Sequence, residues 1–354
     1  MEKTIELVRG DTPGTEWRFP VLRFTGTQAD APKTYIQAAL HANELPGVVA
    51  INALLPLLRK AEDEGRILGD ITVVPHANPI AAGQHLFLEH MGRFSFNSRT
   101  NFNRDFPLLD SVGEVSDLPD DDAPVSAEKR LKARLLTLAH GADLVLDLHC
   151  DDESLSYLYV PAPFWPHMSD LAQALGSKAV LIWDESSDGA FEEAAFSPYR
   201  NLPATHGDWK RRAITTVEFR GRADVSPAFA EADAQGLYRF LALRGVIADE
   251  NVAPAEEWQG LAVPLANVEM IRAPVGGALL FHAGPGDHVA KGDLLVTVLF
   301  APGEEDGAVE VRAPQAGLVL TRRAHRSTRI GEDVMKLLGD RPSDVGKKPG
   351  ALES

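Results

Sequence analysis

Leu40-His41-Ala42-Asn43-Glu44-Leu45-Pro46-Gly47 is the stretch on which the reading of this chain turns. The run before it, Tyr35-Ile36-Gln37-Ala38-Ala39-Leu40, has the length and apolar character of a buried strand. After it, Val48, Val49, Ile51, Leu54, Leu55, Leu57 and Leu58 recur at helical spacing. Pro46 stands in the first turn, where a missing N–H breaks no hydrogen bond. The pattern predicts a helix over 46–64, stopped by Gly65 and open to a kink at the internal Pro56. His41 and Glu44 then sit on a strand-to-helix turn, outside the carboxyl end of a strand, where open α/β sheets bind ligands. A lone His-x-x-Glu spacing suits a surface turn equally well, so the rest of the chain has to complete the site.

Working outward, residues 4–8 and 17–24 alternate like antiparallel edge strands. Further strands are expected at 70–75, 143–149, 156–160, 179–183 and 213–219. Helices are expected at 126–140, capped by Ser126, and at 167–176 and 226–246. Strands alternating with helices predict an α/β fold, a mostly parallel mixed sheet with helices on both faces. Residues 78–107 are irregular and polar, and a loop that long in a compact domain is commonly functional. The acidic stretch 110–124 reads as a solvated loop. Near 251–260 the texture becomes that of a linker, which divides the chain into a catalytic domain over 1–255 and a β module over 256–340. In that module Arg272-Ala273-Pro274-Val275-Gly276-Gly277 recurs as Arg312-Ala313-Pro314-Gln315-Ala316-Gly317, the mark of two similar halves. Residues 341–354 read as a frayed tail.

A net charge of −16 argues against a nucleic-acid surface, which needs clustered Lys and Arg. No apolar run reaches the roughly 18–20 residues that span a bilayer, and the start lacks the apolar core of a signal peptide. The single cysteine, Cys150, excludes an internal disulfide and a cysteine-based zinc cluster. A reduced, cytoplasmic protein is expected, with neither nucleic acid nor membrane as partner. Any metal has to be held by His and carboxylates.

Three further pieces carry chemistry. Asp143-Leu144-Val145-Leu146-Asp147-Leu148-His149 is a buried strand ending in His149, which would face the same crevice as His41 if the two strands are close. Two imidazoles and a carboxylate leave a coordination position open, the pattern of catalytic rather than structural zinc, with Asp147 available to orient a ligand imidazole. In Thr215-Thr216-Val217-Glu218-Phe219-Arg220-Gly221 a glutamate lies near the end of an apolar strand, where a charge is unfavourable without a partner. Beside a bound metal it would serve as general base; the alternative is an ion pair with Arg220 or Arg222. In Asn101-Phe102-Asn103-Arg104-Asp105-Phe106-Pro107 an Arg fork suits a carboxylate, with an Asn amide adding a donor. Asp151, Asp152, Asp184, Glu185 and Asp188 are either solvated loop ends or the wall of a pocket for a cationic substrate end.

His41-x-x-Glu44, Asn103-Arg104, Asp147-Leu148-His149 and Glu218, in that order over about residues 33–225, resemble the succinylglutamate desuccinylase/aspartoacylase family of zinc carboxypeptidase-like hydrolases. The resemblance implies one zinc ion per chain on His41, Glu44 and His149, with Glu218 as base and later acid. It implies that Arg104, helped by Asn103, holds the substrate carboxylate, and that a further arginine, Arg99 or Arg93, serves the scissile carbonyl. The turn departs from the family by reading His-Ala-Asn-Glu where His-Gly-x-Glu is common. The C-terminal module resembles a biotinyl/lipoyl-like domain, but its hairpin Phe300-Ala301-Pro302-Gly303-Glu304-Glu305-Asp306-Gly307-Ala308 lacks the lysine that a carrier needs. It would instead shape the active-site mouth or build a homo-oligomer. The expected activity is removal of the acyl group from a small N-acyl amino acid. A carboxypeptidase acting on short peptides, or a non-catalytic binding protein on the same fold, are the alternatives.

Overall fold

In the computed structural model, which describes residues 1–184, 188–203 and 207–343, nine strands form one mixed sheet. They are β1 (Glu2–Arg9), β2 (Glu16–Phe24), β3 (Thr34–Ala38), β4 (Ile71–Val74), β5 (Leu144–Asp151), β6 (Tyr157–Pro161), β7 (Ala179–Trp183), β8 (Ala213–Gly221) and β9 (Leu261–Pro264). Their spatial order is β1-β2-β4-β3-β5-β8-β6-β7-β9. The pairs β4–β3, β3–β5, β5–β8, β6–β7 and β7–β9 are parallel, and β1–β2, β2–β4 and β8–β6 antiparallel. The central β3 is buried along its whole length, as a strand covered on both faces must be.

The helix after the opening turn, α1 (Pro46–Asp63), buries Ala50, Ile51, Leu54, Leu58 and Ala61 as one stripe. It packs on α4 (Pro227–Leu243) and on β3, β5 and β8. Pro56 falls on the exposed side, and the helix continues through it to Asp63. Gly47 allows α1 to approach the sheet: a Cβ there would lie 2.7 Å from the Leu148 Cβ. A second group, α2 (Ala127–Ala139) and α3 (Phe191–Phe196), packs against the sheet and against each other. The Ser126 hydroxyl accepts from the Lys129 amide, as the capping pattern predicts. No helix among the described residues is long and apolar enough to cross a membrane.

The C-terminal region follows a last strand of the large sheet. The chain first returns Leu261–Pro264 to the large sheet, where β9 pairs with the otherwise open edge of β7. The antiparallel module starts at β10 (Val268–Arg272) and continues through β11 (Gly277–Phe281), β12 (Leu294–Leu299), β13 (Ala308–Arg312), β14 (Gly317–Arg322) and β15 (Asp333–Gly339). Two sheets face each other over Leu279, Leu295, Val298, Val319 and Leu337. The repeated Arg-Ala-Pro segments are the two crossovers. The first carries the chain from the sheet of β10 to that of β11, and the second returns it from β13 to β14. One sheet borrows Glu153–Ser154, just after β5, which pairs with β14 and ties the module to the catalytic domain. Glu185 and the tail from residue 344 lie outside the described residues.

Candidate active site

β3 stops at Ala38 because Ala39 takes a φ of +57°, turning the chain off the sheet edge. Leu40 is buried, and His41 and Glu44 follow at 3% and 4% exposure. Asn78 fixes this turn, donating from Nδ2 to the Leu40 carbonyl. The neighbouring strand β5 carries His149, and β8, next to β5, carries Glu218 directly beside it in the ladder. One rung back, Gln37, Asp147 and Thr216 align across the three strands. Residues two apart on a strand share a face, so Asp147 and His149, like Thr216 and Glu218, project to the same side.

His41, Glu44 and His149 form one buried cluster whose ligand atoms lie within 4.8 Å of one another. Glu44 is the hub: its Oε1 is 2.9 Å from His41 Nδ1, and its Oε2 is 2.8 Å from His149 Nδ1. The outer nitrogens are committed elsewhere. His41 Nε2 donates to Asn101 Oδ1 at 2.6 Å, and His149 Nε2 donates to Asp147 Oδ2 at 2.9 Å. Arg93 Nη1 lies 3.2 Å from both His41 Nδ1 and Glu44 Oε1, and a proton on His149 Nδ1 would be donated to Glu44 Oε2. Positive charge from Arg93 and from the imidazoles therefore balances the Glu44 carboxylate. A divalent metal bound by two imidazole nitrogens and a carboxylate would meet the same need. Burial disfavours the Glu44 charge, but His41 and His149 hold its carboxyl well below the usual range. Burial also works against charge on His149, yet Asp147 and Glu44 raise its imidazole well above the usual value. The Cys150 thiol is not one of the cluster's ligands.

Asp147 is held in turn. Gln37 Nε2 donates to its Oδ1 at 2.9 Å, and the Tyr35 hydroxyl donates to Gln37 Oε1 at 2.7 Å. A polar Gln inside an apolar strand was the sequence signal for this relay, which the motif reading did not use. Outer partners of this kind set ligand orientation and basicity, so Asp147→Asn is expected to weaken metal affinity by roughly 10–100-fold, measured by chelator competition. An unchanged affinity would show that Asp147 is only packing.

The ion-pair alternative for Glu218 does not hold. Arg220 pairs with Asp233 on α4, and Arg222 pairs with Asp152. Glu218 Oε2 is buried with no hydrogen-bond partner among the described residues. Burial, then the nearby Glu44 charge, pushes the Glu218 carboxyl up to about 8.

A cavity of about 890 Å³ opens over the cluster. Arg104 and Asn103 line it. Asn103 Oδ1 accepts from the Phe191 amide at 2.7 Å, and Arg104 Nη1 donates to the Asn103 carbonyl at 2.7 Å. Of the two arginine candidates, Arg93 reaches the ligands, its Nη1 lying 3.2 Å from Glu44 Oε1. Gly92 lets this strand of loop approach: a Cβ there would lie 2.3 Å from the Asn43 amide nitrogen. Arg99 is exposed on the cavity wall. The C-terminal module supplies Arg323, His325, Arg329 and Lys336 to the same cavity, with Lys336 Nζ 2.6 Å from Asp151 Oδ2. Of the acidic residues read as either solvated loop ends or a pocket wall, Asp151 pairs with Lys336, Asp152 with Arg222 and Asp188 with Arg104. Asp184 is exposed, and Glu185 lies outside the described residues.

Comparison with known proteins agrees with this geometry. The catalytic-domain model of the succinylglutamate desuccinylase/aspartoacylase family matches residues 30–244. An N-alpha-acetyl-L-2,4-diaminobutyric acid deacetylase from Halomonas elongata is 23% identical over 317 residues, 87% of this chain and 82% of the relative. A crystal structure from Shewanella amazonensis, assigned to the same family, is 29% identical and superposes with a TM-score of 0.82, covering 96% of this chain and 99% of its own. The product-bound ectoine utilization protein EutE (DoeB) from Ruegeria pomeroyi, at 21% identity and a TM-score of 0.70, shares the fold over 93% of this chain and 91% of its own. With the matched model spanning the turn of His41, the strand of His149 and Glu218, the chain belongs to the succinylglutamate desuccinylase/aspartoacylase family of amide hydrolases.

Proposed function

We propose that this protein is a zinc-dependent amidohydrolase that removes the acyl group from an N-acyl amino acid. The observation that carries the reading is the buried cluster of His41, Glu44 and His149, set beside a Glu218 whose Oε2 has no hydrogen-bond partner among the described residues. His41, Glu44 and His149 would hold the ion, which when bound polarises a carbonyl and makes water a better nucleophile. Glu218, adjacent to His149, takes the proton of the attacking water as the new C–O bond forms. It then gives that proton to the departing nitrogen as the C–N bond breaks, leaving a carboxylic acid and an amine. Arg93, already against Glu44, stabilises the negative charge that develops on the carbonyl oxygen. Arg104, with Asn103 behind it, holds the substrate carboxylate. Besides the Asn103 carbonyl, its guanidinium meets Asp188 in a 3.6 Å ion pair, which a substrate carboxylate can displace. Arg99 offers a second cation on the cavity wall.

The C-terminal module adds Arg323, His325, Arg329 and Lys336 to the cavity wall, a narrowing that supports a small substrate over a peptide. A zinc-loaded preparation is expected to hydrolyse members of an N-acetyl amino acid panel and to leave a dipeptide and tripeptide panel intact. Turnover of the peptides alone would overturn the reading in favour of a carboxypeptidase. Loss of a charged hydrogen-bond partner is worth about 1.5–3 kcal/mol. Arg104→Ala should therefore lower kcat/KM roughly 10–100-fold, chiefly through KM. A KM equal to the parent's would remove Arg104 from substrate binding.

A further inference from the structure

One carboxylate on the cavity wall is explained by neither the metal cluster nor the fold. Glu192 is 7% exposed, and its Oε2 is shielded from solvent with no hydrogen-bond partner among the described residues. It lies in the first turn of α3, yet it does not cap that turn. The Gly189 and Ala190 amides go to Glu193 Oε2, and the Phe191 amide goes to Asn103 Oδ1. The groups that favour the ionised form of Glu192 are its own amide and the Thr216 side chain, on the same cavity wall and one rung behind Glu218, and neither carries a charge. Most cations of this cavity face other carboxylates: Lys336 faces Asp151, Arg222 faces Asp152, Arg323 and Arg329 face Glu332, Arg93 faces Glu44 and Arg104 faces Asp188, and none of the ion pairs found involves Glu192. A buried carboxylate without a counter-charge is unfavourable, and here Glu193 and Asp147 add to the unfavourable field. Such a wall attracts a cation that the protein itself does not supply.

We propose that Glu192 is a specificity-determining residue that receives a side-chain ammonium of the substrate, so that the preferred substrates are N-acyl amino acids whose side chains end in a primary amine. This rests on the amidohydrolase reading above. If Arg104 holds the α-carboxylate and the scissile carbonyl lies at the ligand cluster, the amino acid side chain is the arm left to reach the wall. A simple acyl group carries no cation, so the charge belongs on that side chain. Burial and the neighbouring carboxylates hold the Glu192 carboxyl at about 7 when no cation is near, and an ammonium would favour its ionised form. A desolvated ammonium–carboxylate contact discriminates strongly against a methyl group of the same size, because the methyl leaves the carboxylate unpaired.

The test pairs each cationic compound with its neutral isostere. Nα-acetyl-L-ornithine is compared with Nα-acetyl-L-norleucine, and Nα-acetyl-L-2,4-diaminobutyrate with Nα-acetyl-L-norvaline, using the zinc-loaded protein. The better cationic substrate is expected to exceed its isostere in kcat/KM by roughly tenfold or more. In Glu192→Gln that ratio should collapse towards one. A merely structural role would lower both rates together and keep the ratio, and that result overturns the proposal. Calorimetric titration of the zinc-loaded parent with free L-ornithine and free L-norleucine gives a readout independent of turnover and of the variant's folding. Ornithine binding no tighter than norleucine also overturns the assignment. Hydrolysis without preference would sink the role of Glu192 and leave the amidohydrolase intact. An ornithine preference in binding with no hydrolysis of any acylated compound would do the reverse.

Discussion

Glu218→Gln, loaded with zinc, is expected to retain the metal and to lose turnover by roughly a hundred- to ten-thousand-fold. The substitution keeps the shape of the side chain and removes its ability to take up a proton, while His41, Glu44 and His149 are untouched. The same variant should be more stable than its parent when both are metal-free. An unfolded glutamate ionises near 4.5, whereas Glu218 in the folded chain is raised to about 8 by burial and then by Glu44. Between those values the unfolded state releases the proton and the folded state keeps it. The contribution of Glu218 to stability is therefore intact below about pH 4.5 and is lost as the pH rises towards 8. Gln does not titrate, so the metal-free variant should have the higher Tm at pH 8, with the gap closing towards pH 5. An active Gln variant would remove Glu218 from the role of base; an equal Tm at pH 8 would show that its carboxylate is better solvated than its position implies.

Chelation is expected to abolish hydrolysis completely, and one equivalent of zinc per chain to restore it. The metal should also act as a ligand of the folded state. At a thousand times its Kd it adds about 4.1 kcal/mol. For a chain of 354 residues that raises Tm by roughly 5–6 °C. His149→Ala, which removes one of three ligands and leaves Asp147 without its imidazole, should show neither the restored activity nor the zinc-dependent Tm shift. A variant that kept both would mean that the ion is held elsewhere. The prediction follows from Glu44, whose two oxygens each face an imidazole Nδ1, while Asn101 and Asp147 hold the outer Nε2 atoms in place.

The pieces of this site were legible in the sequence because each ligand follows or ends an apolar run. Periodicity finds such strands well: 179–183 was placed without error, and β5 and β8 within two residues at their far ends. Strand order was not legible. Nothing in the alternation of apolar residues says that the strands of His41, His149 and Glu218 are consecutive neighbours in the sheet, and only that order places Glu218 beside His149. The irregular loop was the other gap. Arg93 and Asn101 reach the ligands through a short bridge between Phe94 and Asn101 and through the approach of Gly92, contacts that leave no periodic trace. Glu192 lies in a short helix that the periodicity does not reveal, and its lack of a counter-charge is visible only once the neighbouring cations are seen to face other carboxylates.

The grip of Lys336 on Asp151 also has a consequence in time. Lys336 lies on β15, roughly 300 residues after His41 in the chain. At ordinary synthesis rates of roughly 5–20 residues per second, about 15–60 s pass between the emergence of the first ligand and that of the lysine. The three residues of the candidate metal cluster, complete with His149, emerge early. The wall that Arg323, His325, Arg329 and Lys336 add to the cavity comes last. A chain that stops before Asp333 keeps the metal cluster but leaves Asp151 without its cation and the cavity open to water.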